Sequence, residues 1–430
     1  MAFSFASVRS QFPAFQRNIN GKPAIYLDGP AGSQVPLSVA EAVTKVLLHH
    51  NANHGGYFAT SEECDAIVAE VRKSTAQLLN APKDTEIVFG ANMTTITFAL
   101  SRALAQQWQQ GDEIVVTQLD HDANVSPWVR AAEDRGVTVR RVKIKIPECT
   151  LDLDHYHQLL SPRTRLVALG AVSNATGTRN PIKEMIRSAH DVGALAFIDG
   201  VHHTPHLSVD VQDWDCDFFV CSAYKFFGPH VGILWGKSEW LESLKPYKVR
   251  PAPETSPDRW MTGTQNFAAI AGVGAALDYL ADIGLAVIEN EQIPYKSLQD
   301  PGTAKKSSEQ RRDHFLLAFQ AIEQEERRLS IAFLQELSKI PAVKIWGITD
   351  PGAVGDRVPT FSFTHASHPP TKIAKYLGEN GIFCWHGNYY ALPLTEALGL
   401  EPEGMVRVGA LHYNTTSEVE QLVACLHQLT

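Results

Sequence analysis

Asp199 closes the run LAFIDG, and Lys225 follows the run DFFVCSAY 26 positions later. Both runs are apolar on consecutive positions and stop abruptly at polar residues, the pattern of strands covered on both faces. In an open α/β sheet the ligand crevice lies outside the carboxyl ends of the strands, so an acid and a lysine at two such ends share one crevice. An amine there can bond a carbonyl carbon, and a carboxylate can pair with a protonated ring nitrogen. Together they suit pyridoxal phosphate chemistry: the lysine secures the cofactor aldehyde and the acid keeps the ring an electron sink. Taken singly, Lys225 also reads as surface charge and Asp199 as a turn residue.

A sheet is needed to hold them. Between Glu86 and Gly236 the runs EIVFG, EIVVT, VTVRRVKI, TRLVALG, LAFIDG, DFFVCSAY and GILWG alternate with segments of helical composition. This order predicts an α/β domain built on a mainly parallel sheet. From Ala286 to about Arg312 the chain turns polar, with Pro294, Pro301 and Gly302, and reads as a linker or exposed insertion. Beyond it a long segment with apolar residues at helical spacing, the strand-like VKIWGI and PTFSF, and a final helix over Ser417 to Gln428 predict a smaller α+β domain. The expected division is 1–285 for the N-terminal segment and large domain, 286–312 for the linker and 313–430 for the small domain.

Other residues fall at the same edge. EIVFGANMTT passes from strand to helix, and Thr94 and Thr95 offer donors where the helix dipole favours an anion. A plain helix cap accounts for that pair equally well. His121 follows EIVVTQLD, where a flat amphipathic ring can cover another ring. Asn174, after VALGAVS, also fits a turn.

Composition narrows the partners. Lys plus Arg number 38 against 47 Asp plus Glu, a net charge of −9, and no basic run marks the chain for phosphate backbones or anionic membranes. No nucleic acid or membrane partner is expected. The longest apolar stretch, Phe267 to Leu277, breaks at Asp278 and predicts a buried helix. The N-terminus lacks the features of a signal peptide, so a cytoplasmic location is expected. Six cysteines without a CxxC pair read as reduced thiols.

The segment FIDGVHHTPHLSVDVQDWDCDFFVCSAYKFFGPHVGILWG resembles the cofactor core of the cysteine desulfurase and selenocysteine lyase group, within the class V aminotransferases. The likeness extends upstream through YLDGPAGSQVP, Thr94-Thr95, QLDHDANVSPW and VSNATGTRNP, and downstream through MTGTQN, GIFCWHGNYYALP and VRVGALHYNTTSEVE. It covers nearly the whole chain in order. It implies a fold type I pyridoxal 5′-phosphate enzyme, α/β in its large domain, that acts on an amino acid as a homodimer. By resemblance Lys225 bonds the cofactor, Asp199 pairs with the ring nitrogen, His121 stacks on the ring and Asn174 meets its 3′ oxygen. Thr94, Thr95 and Ser222 would hold the phosphate, with Thr264 of MTGTQN reaching it from the other subunit. Arg407 would grip the substrate carboxylate, a task suited to its bidentate fork. Ala31, His54 and Asn174 would lie on the substrate side, although His54 in NANHGGYF is also explained as a turn histidine.

Three departures bear on the reaction. His202 stands where the group has the glutamine of D-G-A-Q, and Tyr224 where it has a histidine before the lysine. Both keep hydrogen-bonding capacity and change the proton inventory around the cofactor. Aligning GIFCWHGNYYALP through its glycine and proline puts Tyr390 where desulfurases carry the sulfur-accepting cysteine. A phenol cannot hold persulfide sulfur, and Cys384, six positions earlier, is expected to be a buried structural thiol. The expected reaction is therefore cleavage of a Cβ–S or Cβ–Se bond by elimination, with Tyr390 orienting the substrate or protonating the leaving group. Packing at the domain junction explains Tyr390 as well. Transamination or epimerisation of another amino acid starts from the same Cα deprotonation. A non-catalytic dimeric scaffold is disfavoured, because Lys225, Asp199 and Arg407 are all present. The sulfur acceptor is open. His202, His203, His206, Asp199 and His230 lack a standard zinc spacing, and no metal is expected.

Overall fold

Seven strands pair into one sheet in the order Ile87–Gly90, Gly232–Gly236, Phe218–Ser222, Leu195–Asp199, Thr164–Gly170, Glu113–Thr117 and Thr138–Val142. Only Gly232–Gly236 runs antiparallel to its neighbours; the remaining pairs are parallel. Glu113–Thr117, Phe218–Ser222 and Gly232–Gly236 are buried at every position, which is why their sequences lack polar alternation. Alternate side chains feed two cores: Ile198, Phe219 and Cys221 on one face, Phe197, Phe218 and Val220 on the other. The edge strand Thr138–Val142 keeps its arginines half exposed. The architecture is the α/β sheet the sequence predicts. The structure is a computed structural model and describes residues 5–290 and 308–429.

The second sheet is antiparallel, ordered Val343–Trp346, Thr360–His365, Met405–Gly409 and Trp385–Gly387. Its core holds Leu329 and Phe333 of the helix Ser308–Leu337, with Phe361, Val406, Val408 and Leu422. Phe333 and Phe361 stack at 4.8 Å, and burying each such ring contributes roughly 1.5 to 3 kcal/mol.

Two features depart from the sequence expectation. The N-terminal segment, grouped above with the large domain, sends Ile25–Tyr26 into a parallel pair with Ile382–Phe383, and Leu27 joins the small core. A two-residue ladder leaves no periodic signal. The second concerns the proposed linker, which has helix on both flanks. The helix that starts at Phe267 continues through Asp278 to Asn290, and the next begins at Ser308; residues 291–307 lie outside the described residues. Asp278 does not end the helix: its side chain lies on the exposed face, meeting Arg311 at 2.6 Å, while Leu280, Ile283 and Leu285 beyond it are buried. Phe267–Glu289 is thus long and apolar enough to cross a bilayer by length and composition, contrary to the shorter stretch read from sequence. It packs instead against Leu37–His49, Ala59–Leu79 and Ser308–Leu337.

Candidate active site

The carboxyl ends of the large sheet open into a cleft whose walls include Thr94, His121, Asn174, Asp199, His202, Ser222, Tyr224 and Lys225. Eight residues predicted for the cofactor are therefore brought together. Lys225 ends the 3-10 turn Ala223–Lys225, and its Nζ donates to the Pro30 carbonyl. Only 8% of the residue is exposed, and burial, aided by the Arg407 cation, lowers its pKa to about 7. Asp199 ends its strand with Oδ1 accepting from the Val201 amide at 2.9 Å, and burial raises its pKa to about 6. Gly200 must be glycine here, since a Cβ would lie 2.1 Å from the buried Phe219 ring.

His121 accepts from the Ala123 amide through Nδ1 at 3.0 Å, so a neutral ring carries its proton on Nε2. Burial, with Lys225 and Arg407 adding to it, lowers its pKa to about 4. It remains an uncharged flat surface at neutral pH. Tyr390 stacks on it at 5.4 Å and 28°.

At the other end of the cleft the helix Met93–Leu104 presents its N-terminus, capped by Asn92, whose side chain accepts from the Thr95 amide. Ser222 accepts from the Met93 amide at 3.0 Å and keeps its hydroxyl proton to donate. Thr94 lines the cleft, whereas Thr95 turns its hydroxyl to Asn92 and lines a neighbouring cleft together with Thr264. Ala31 follows Pro30 in the turn that receives Lys225. His54 is not part of the cleft; it is exposed and its ring lies 6.0 Å from Phe267.

Arg407 is 5% exposed, donates to the Asn174 carbonyl at 2.7 Å and lies 4.3 Å over the Tyr389 ring, with Nε unpartnered. Burial lowers its pKa to about 10, still charged at neutral pH. A buried fork with a free donor suits a carboxylate ligand. The histidine group resolves into separate contacts: His202 Nε2 with Thr360 at 2.9 Å, His203 with the Ser208 carbonyl, and His206 with Glu326 at 2.7 Å.

Cys384 sits between the strands Ile382–Phe383 and Trp385–Gly387, partly exposed rather than fully buried as expected, beside an edge strand that is itself largely exposed. Burial of its sulfur and the nearby Asp28 push its pKa up to about 12.

Sequence reasoning missed Asp120, Asp28 and Tyr389. Asp120 lies in the cleft wall, accepts from Gly170 and Asn124, and has a pKa raised to about 7 by burial and by Asp199. Its position just after EIVVTQL was the available signal. Asp28 and Tyr389 gave none, since Asp28 approaches Arg407 from the N-terminal segment and Tyr389 from the loop after Trp385–Gly387.

The cleft suits pyridoxal phosphate on its own polar groups. Asn174 Oδ1 and His202 Nδ1 are buried without partners, a costly state that a bound polar ring can relieve. A helix N-terminus and two hydroxyls at one end fit a phosphate, and a carboxylate at the other fits a ring cation.

Residues 25–299 and 314–422 match the aminotransferase class-V family. Cysteine desulfurases of Cronobacter sakazakii and Dickeya dadantii are 33% and 31% identical; the matches cover 99% and 98% of this chain, and 98% and 96% of those relatives. The crystal structure of the Escherichia coli cysteine desulfurase CsdA superposes with TM-score 0.82 at 29% identity, covering 100% of this chain and 98% of that one. The apo cysteine desulfurase of Thermococcus onnurineus gives 0.83 at 25%, covering 100% and 99%. The chain belongs to the class-V aminotransferase family, as a cysteine desulfurase-like enzyme of fold type I.

Proposed function

We propose that this enzyme uses pyridoxal phosphate to cleave a Cβ–S or Cβ–Se bond of an amino acid without carrying sulfur on a protein cysteine. The observation that carries this reading is Tyr390. It stands 72% exposed against His121 on the loop where a sulfur acceptor is expected, while Cys384, six positions earlier in the chain, has its pKa pushed up to about 12. The other five cysteines are buried, and burial raises the pKa of each as well. A thiol acts as a sulfur nucleophile through its thiolate, so none is poised to accept sulfur.

Lys225, Asp199, Asn174, His202, Ser222, Tyr224 and Thr94 would hold the cofactor, with His121 against its ring. Bound there, pyridoxal phosphate supplies an electron sink for the pair left at Cα. Arg407 grips the substrate carboxylate and orients Cα. Lys225, with a pKa of about 7, is matched to take the Cα proton at neutral pH. His121 stays uncharged and cannot compete for that proton. The Tyr390 hydroxyl, exposed at the mouth, can give a proton to the departing sulfur. A second copy would place Thr264, and with it Thr95 and His54, at a composite site. Their position outside the cleft of a single chain supports that arrangement.

The test incubates the holoenzyme with L-cysteine, traps persulfide on the protein and measures sulfide, alanine and pyruvate. Cys384→Ser is expected to keep activity within about twofold, and Tyr390→Phe to lower kcat by roughly tenfold or more. Stoichiometric persulfide on Cys384, with activity abolished in its serine variant, overturns the reading.

A further inference from the structure

The strand Trp385–Gly387 runs antiparallel to Met405–Gly409, and Trp385 is the direct partner of Arg407. Residues opposite one another in an antiparallel pair project from the same face, with Cβ atoms about 5 Å apart. The direction of that face is fixed by Arg407, which reaches the Asn174 carbonyl across the domain contact. Ser362, the partner of Arg407 on the other side, also points there and donates to the Ala175 carbonyl. Burial grades along this row from Ser362 at 0%, through Arg407 at 5%, to Trp385 at 52%. The indole therefore forms the rim beside the carboxylate anchor.

The loop that follows brings a second ring to the same mouth. Tyr389 and Tyr390 both adopt left-handed backbone, with φ of 54° and 59°. Such conformations cost roughly 1 to 3 kcal/mol each and persist only when their surroundings hold them. Here Asn174 donates to the Tyr389 carbonyl at 3.0 Å and Asp122 to the Tyr390 carbonyl at 2.6 Å. The held turn leaves Tyr390 72% exposed over His121. Two large rings, one opposite Arg407 in the sheet and one over His121, thus stand half or more exposed.

Resting on the cleavage reading above, we infer that Trp385 and Tyr390 form an aromatic clamp for the group carried on sulfur, so that the preferred substrates are S-substituted cysteines with an apolar or aromatic substituent. This class also explains the missing acceptor. A substituted sulfur leaves as a thiol and needs no protein thiolate to receive it. The step balances without an oxidant. Lys225 takes the Cα proton, the freed pair forms the Cα–Cβ double bond, and the Cβ–S bond breaks. The thiolate departs with that bond's electrons and gains a proton from Tyr390 or water. The released enamine takes up water and loses ammonia to give pyruvate.

The experiment compares S-benzyl-L-cysteine, S-methyl-L-cysteine and L-cysteine on the holoenzyme. Pyruvate formation gives kcat and KM, and perturbation of the bound cofactor's visible band gives Kd. The wild type is expected to favour S-benzyl-L-cysteine over L-cysteine by about tenfold or more in both readouts. Trp385→Ala should cut kcat/KM for the benzyl substrate about tenfold more than for cysteine, mainly through KM. Trp385→Phe should retain most of the preference, which separates loss of the ring from misfolding. Preference for free cysteine, or an equal effect of Trp385→Ala on all three substrates, overturns the clamp. If no substrate yields pyruvate, the cleavage reading fails, and the order of Kd values still decides whether the clamp exists.

Discussion

Replacing Lys225 by methionine should stabilise the cofactor-free protein at neutral pH, because the fold holds an amine where an ammonium is poorly tolerated. The unfolded chain keeps that lysine protonated up to about 10.5, whereas the folded cleft releases the proton near 7. Between these values unfolding takes up a proton, so native stability rises with pH through the window. At pH 7 the difference amounts to about 4 kcal/mol working against the wild-type fold. Methionine removes this cost and leaves the Pro30 carbonyl without its donor, which returns about 1 kcal/mol. A net gain of about 3 kcal/mol raises Tm by several degrees in a chain of this size. The advantage is greatest below pH 7 and fades as pH approaches 10.5. Thermal unfolding of both cofactor-free proteins at pH 7 and pH 9.5 measures it. Equal midpoints at pH 7, or an advantage that grows with pH, would refute the reasoning.

Arg407→Lys should raise KM for the amino acid and lower kcat/KM about 10- to 100-fold, since an ammonium lacks the bidentate fork; an unchanged KM would remove Arg407 as the carboxylate anchor. Gly200→Ala should destabilise the protein by about 2 to 3 kcal/mol, because its Cβ would meet the Phe219 ring at 2.1 Å; an unshifted Tm would contradict this.

The large sheet was legible because strands covered on both faces are written as unbroken apolar runs, and TRLVALG and GILWG coincide with Thr164–Gly170 and Gly232–Gly236. Asp199 and Lys225 were legible for the same reason, since each follows such a run directly. Contacts between segments far apart in sequence were not. Asp28 and Tyr389 reach Arg407 from distant segments, and no local period encodes that approach. SSEQRRD reads as linker by polarity, yet Ser308 opens a helix whose apolar face begins only at Phe315. Polar residues of good helix propensity extend a helix once a later turn packs. Trp385 also passed unremarked, because its importance lies in a register with Arg407 that only the folded sheet reveals.

Asn174 explains why the anchor and the loop can act as one unit. Its carbonyl accepts from Arg407 at 2.7 Å and its side chain donates to the Tyr389 carbonyl at 3.0 Å, while the guanidinium lies over the Tyr389 ring. The next residue is Tyr390, held in a left-handed turn that its own side chain does not favour. A substrate carboxylate bound at Arg407, as proposed, would load the same contacts that hold the loop over His121. Substituting Tyr390 changes the group at the tip and leaves this support in place. Loss of Asn174 would free the loop and the anchor together, so its effects on KM and kcat should be inseparable, whereas those of Tyr390→Phe should fall on kcat alone.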